Sequence, residues 1–187
     1  GLWITLAVVL VVVIAIVGSF ASSYNKFVSM EEKVESASAD ISVYLQRRAD
    51  LIPNFVNSVK GYSDYEQETY TAVTEARAAV SKADDVDEQA AASAQLDRAI
   101  DVWVNAVTEA YPELKANEQY IALQDELAGS ENRIATARKD YNETAREYNN
   151  AVRRFPSNIV AALFDFDKAE YFESDDSASE VPTVDFS

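Results

Sequence analysis

The sequence predicts an all-α protein: an N-terminal transmembrane helix continuing into an antiparallel four-helix bundle of long helices, followed by an extended acidic C-terminal tail. Three observations carry this. Only 4 Gly and 4 Pro punctuate 187 residues, which favours long helices over many short strands. Apolar residues recur at steps of three, four and seven along most of the chain. The first twenty residues, GLWITLAVVLVVVIAIVGSF, are almost wholly apolar. The expected domains are 1–22 as the anchor helix, 23–155 as the bundle and 156–187 as the tail.

From Leu2 to Phe20 a helix would span about 29 Å at about 1.5 Å per residue. That matches a hydrocarbon core about 30 Å thick. Trp3 and Tyr24 suit the two interfaces. Gly18 with Ser22, and Ala15 with Ser19, form small-xxx-small pairs that let helices approach closely. The chain starts at Gly1 without a basic lead-in. A removed basic leader would keep the N-terminus inside and the bulk outside, whereas Lys26, Lys33, Arg47 and Arg48 pull the bulk inside. The expectation is a single-pass protein of the cell membrane with the bulk of the chain on the outer face.

Helix 1 proper is read over 24–51 from Tyr24, Phe27, Val28, Val34, Ala37, Ile41, Tyr44 and Leu45. Pro53 allows two readings. In the preferred one, helix 1 stops near Leu51 and helix 2 opens with Pro53 at its first position. In the other, a single long helix kinks there, since Phe55, Val56 and Val59 keep the same face. Helix 2 then runs through Tyr62, Tyr65, Thr69, Val73, Ala76 and Val80 to Lys82. Residues 81–89 are a polar loop with Asp85 or Asp87 as a helix cap. Helix 3 covers about 88–111, with Leu96, Ile100, Trp103 and Val107 on one stripe, until Pro112 breaks it.

Helix 4, about 117–154, repeats Leu127, Ile134, Tyr141, Tyr148 and Phe155 at sevens, with Ala137, Ala145, Ala151 and Val152 beside them. Packing within the chain is the expected use of this seam, and an intermolecular coiled coil the alternative. Gly129 either allows close packing or marks a bend. The tail mixes acids with Phe164, Phe166, Tyr171, Phe172 and Phe186. It is expected to lie extended along the bundle with its rings in grooves and DDSAS mobile.

The formal net charge is −16, which repels phosphate backbones and argues against a nucleic-acid partner. It also fits a salt-loving source, where salt screens the self-repulsion, with an ordinary acidic protein as the alternative. With no His and no Cys, Ser-His-Asp and Cys-His catalysis, imidazole zinc sites and disulfides are excluded. Acid pairs such as Asp84-Asp85 lack the ligand spacing of a calcium loop. No enzyme and no cofactor are expected. The residues singled out as structural or interface candidates are Arg47, Arg48, Pro53, Asn54, Asn57, Glu131, Arg133, Arg138, Tyr141 and Tyr148. Glu131 and Arg138 flank the seam, so an ion-pair network with Arg47 would satisfy them there. Arg47 and Arg48 are expected to anchor helix 1 to acids on helix 4. If exposed, they would instead form a basic spot for an acidic partner, such as another copy's tail.

The run LQRRADLIPNFVNSVKGY at 45–62 resembles the signature of the LemA family. So do TEARAAV at 74–80, YPELKANEQYIALQDELAGSENRIATARKDYNETAREYNNAVRRFPSNIVA at 111–161, and YFES with VPTVDFS near the end. The resemblance implies a single-span membrane protein with a helical-bundle domain and supplies no catalytic residue. It also implies membrane-associated work, since relatives occur near membrane metalloprotease genes and one branch helps to build the magnetosome membrane. Three roles are carried forward. The first is a self-associating scaffold that remodels membrane, with the bilayer and further copies of the chain as partners. The second is an adaptor or regulator of a membrane metalloprotease. The third is a subunit of a filament or tube with N-terminal helices in its core.

Overall fold

The computed structural model describes residues 1–59 and 67–172. Among the described residues there are five α-helices, one 3-10 turn and no strand. They are α1 (Leu2–Val59), α2 (Gln67–Val80), α3 (Val86–Ala110), the 3-10 turn Pro112–Ala116, α4 (Glu118–Arg153) and α5 (Ser157–Leu163).

The expected break at Pro53 does not occur, because Pro53 lies inside α1. An interior proline costs roughly 3 kcal/mol by deleting one backbone bond and crowding the previous turn. Ile52, Phe55, Val56 and Val59 are all buried on one face around it. At roughly 2 kcal/mol for each buried side chain, keeping that face outweighs the proline. The expected helix at Tyr62 and Tyr65 lies outside the described residues.

Two compact units emerge among the described residues, one formed by residues 1–38 with 139–171 and the other by residues 39–138 with Phe172. In the second unit Phe55 of α1 meets Trp103 of α3 edge-on, with ring centroids 5.0 Å apart, and Tyr120 of α4 at the same separation. Ile41, Leu45, Val73, Ala76, Leu96, Ile100, Leu114 and Ile134 are buried in the same unit. Asp85 caps α3 by accepting from the Glu88 amide at 2.7 Å, while Glu88 accepts from the Asp84 amide at 3.0 Å. Asn117 opens α4 the same way, accepting from the amides of Gln119 and Tyr120. Gly129 lies inside α4, and a methyl group there would meet nothing within 4 Å, so close packing does not explain it.

In the first unit the apolar stretch of α1 is exposed along its length, from Leu2 at 76% to Val17 at 61%. Beyond it, Phe27 packs with Tyr148, Val152, Val160, Ala161 and Phe166. Leu127, Ile134, Tyr141 and Tyr148 of the α4 seam are all buried, but Phe155 is 77% exposed. The helix ends at Arg153, so residue 155 has left the helical register.

The tail also departs from an extended course. Residues 157–163 form α5, because the Asn158 amide donates to the Arg154 carbonyl at 2.8 Å and Val160 and Ala161 reach the core. Phe166 and Phe172 are buried, whereas Phe164 and Tyr171 remain 48% and 43% exposed. Phe186 and DDSAS lie outside the described residues.

Candidate functional site

Arg48, on the inward face of α1 between Leu45 and Ile52, is only 3% exposed. Its guanidinium donates to the Asp97 carboxylate of α3 and lies 3.7 Å from Glu131 of α4. Arg138, one turn from Ile134 on α4, faces the same group, and its guanidinium sits 5.4 Å from the Phe172 ring centre. Two cations and two anions therefore meet in the second unit, with Arg48 buried, Asp97 and Arg138 half-buried and Glu131 at the exposed edge. Burial raises the Asp97 carboxyl above the ordinary carboxylate range, against the pull of Arg48 and Arg138, with Glu131 and Asp101 adding to the rise. Burial likewise lowers the Arg138 guanidinium, opposed chiefly by Asp97.

The expected network placed Arg47 with Glu131 and Arg138; the structure puts Arg48 there instead. Arg47 is exposed and pairs with Glu126 of α4 at 3.6 Å. Asp97 escaped the sequence reading because its neighbours, Leu96 and Ile100, mark a core stripe and the acid beside them resembles an ordinary flanking charge. The available signal was Arg48 itself, which shares a face with Leu45 and Ile52 and so needs an acid inside. Gln89, also buried, donates to the Ser42 hydroxyl at 2.7 Å and ties α3 to α1.

Arg47 and Asn54 border an open cleft of about 690 Å³, together with Ser42, Gln46, Asp50 and Ser81. Its charges are already engaged, since Asp50 pairs with Arg77 at 3.5 Å and accepts from Gln46 at 3.0 Å. Asn57, Glu131 and Arg133 are exposed, and Pro53 is half-buried.

Tyr141 and Tyr148 belong to the first unit. The Tyr141 hydroxyl donates to the Glu170 carbonyl at 2.9 Å. Tyr148 is buried beside Phe27 and Phe166, and burial raises its phenol, with Glu31 and Asp167 adding to the rise. Asn149, next to Tyr148, clamps the chain at Ala169. Its amide donates to the Ala169 carbonyl and its oxygen accepts from the Ala169 amide, each at 2.8 Å. Among the described residues no group of three or more acidic side chains converges as a metal site would require.

Among the described residues, all regular structure is helical and one apolar helix is long enough to cross a bilayer, which fits a membrane-associated helical protein. The chain belongs to the LemA family, which matches residues 37–186. It is 28% identical over 164 residues to Protein LemA of Metamycoplasma hominis, covering 86% of this chain and 72% of that protein. It is 25% identical over 197 residues to Magnetosome protein MamQ 2 of Paramagnetospirillum magneticum, covering 92% and 72%. Identity to Magnetosome protein MamQ of Magnetospirillum gryphiswaldense is 22% over 204 residues, covering 96% and 75%. None of these names denotes an enzymatic activity.

Proposed function

We propose that this chain is a non-enzymatic, membrane-anchored scaffold that self-associates and shapes the membrane holding it. The observation that carries this is α1. One helix of 58 residues begins as an uncovered apolar span and ends inside a packed helical unit. No Gly or Pro interrupts it between Gly18 and Pro53. The second unit reads as a four-helix bundle. The ion pairs of Arg48 and Arg77 and the rings around Phe55 link α1, α2, α3 and α4. Likeness to magnetosome proteins supports a role in organising membrane.

The test is electron microscopy of the native membrane fraction, paired with the mass of the protein in mild detergent. Arrays, tubes or a large discrete mass are expected. A single copy of 20.7 kDa plus detergent would overturn the scaffold and favour an adaptor for a membrane protease, to be sought by crosslinking.

A further inference from the structure

We propose that α5, with Phe155 and Phe164 at its ends, is an interfacial foot whose outward face enters the bilayer surface beside the exit of the apolar span. This rests on the reading that residues 2–20 cross a bilayer. The inward face of α5 is Val160 and Ala161, buried against Phe27, Tyr148 and Val152. The outward face carries Ile159 and Leu163, 49% and 65% exposed, and Phe155 and Phe164 extend it. A helix bordered by water would place mostly polar side chains there, whereas the exposed side of α5 carries Ile159, Ala162 and Leu163 beside Asn158. Four large exposed apolar residues fall within the ten residues 155–164, denser than the scattered singles of an ordinary surface.

Its level along α1 identifies what covers it. Phe20, the last ring of the apolar run, packs against the same cluster that buries Val160 and Ala161. The Phe164 ring lies 4.9 Å from Tyr24, edge-on at 65°. Tyr24 follows Phe20 by four residues, or about 6 Å of helix. A headgroup layer is about 5–7 Å deep on each side of the hydrocarbon. Contact with α1 therefore holds α5 within the headgroup layer, where apolar side chains bury at the boundary with the acyl chains. Arg153 and Arg154 before α5 suit lipid phosphates, but Asp165 and Asp167 after it do not. Apolar insertion, rather than attraction to anionic lipid, holds the foot.

The chain has no cysteine, so single cysteines report cleanly. Ile159→Cys and Leu163→Cys would carry an environment-sensitive fluorophore at exposed positions, where the fold is not disturbed. Leu10→Cys serves as the mid-span reference and Lys139→Cys as the reference on an exposed part of α4. Each full-length protein is reconstituted in phosphatidylcholine vesicles and exposed to nitroxides on shallow or deep acyl positions, and separately to iodide in the water. Shallow nitroxide should quench labels at 159 and 163 while iodide spares them, and position 139 should behave oppositely. Position 10 should respond to deep nitroxide. If 159 and 163 follow 139 while 10 remains lipid-quenched, the foot is overturned and the span stands. Protection of 159 and 163 from both quenchers would mean that protein covers the patch, which also overturns the lipid assignment. Loss of lipid quenching at position 10 would overturn the span and the foot with it.

Discussion

Neighbouring residues on a helix point about 100° apart, and that alone separates Arg47 from Arg48. Arg48 lies inside with Asp97, whereas Arg47 and Glu126 meet in solvent. Arg48→Ala should lower stability by about 3 kcal/mol, since it strands a partly buried carboxylate. Arg47→Ala should cost less than about 1 kcal/mol. Chemical denaturation of both variants checks the contrast. Asp97 makes a second prediction through pH. Its folded pKa is raised, so its contribution to stability is fullest below the ordinary carboxylate value of about 4 and is lost as pH rises through the folded value. Asp97→Asn cannot titrate, so the wild type should lose stability relative to this variant as pH rises through that window. Thermal melts of both proteins across acidic pH would show this; a parallel pair of curves contradicts it. The basic pair stood out in the sequence, but its acid did not. Periodicity shows which side of a helix faces inward, not which residue of another helix it meets.

At the scale of elements, helix and cap signals were legible where local chemistry dominates. Asp85 caps α3, Pro112 closes it, and α4 follows its apolar repeat from Leu127 through Tyr148. The failures came where local and distant forces compete. At Pro53 the local preference favoured a break, and the buried stripe of α1 prevailed. At 157–163 the local signal was weak, and the pull of Val160 and Ala161 into the core made a helix. Gly129 keeps its local cost without a packing reason. Gly129→Ala should therefore raise stability by about 1 kcal/mol, read as a higher melting temperature. A lower melting temperature would mean that α4 needs flexibility at that point.

Charge governs the molecule as a whole. At −16, self-repulsion opposes compaction, and salt screens it over about 10 Å at 0.1 M and about 3 Å at 1 M. The melting temperature should rise between 0.1 and 1 M NaCl, and more steeply than in a variant with several exposed acids changed to Asn or Gln. A melting temperature indifferent to salt contradicts adaptation to a salt-rich medium. What the sequence by itself determined was the helical class, the apolar span, most helix faces and the family, because period, run length and motif are properties of a line of residues. Only the tertiary structure decided that α1 runs through Pro53, that Arg48 and not Arg47 joins Asp97 and Glu131, and that Asn149 clamps Ala169. Each of these depends on which distant residue lies within a few ångströms, and burial and pairing across helices can then outweigh a local preference of a few kcal/mol.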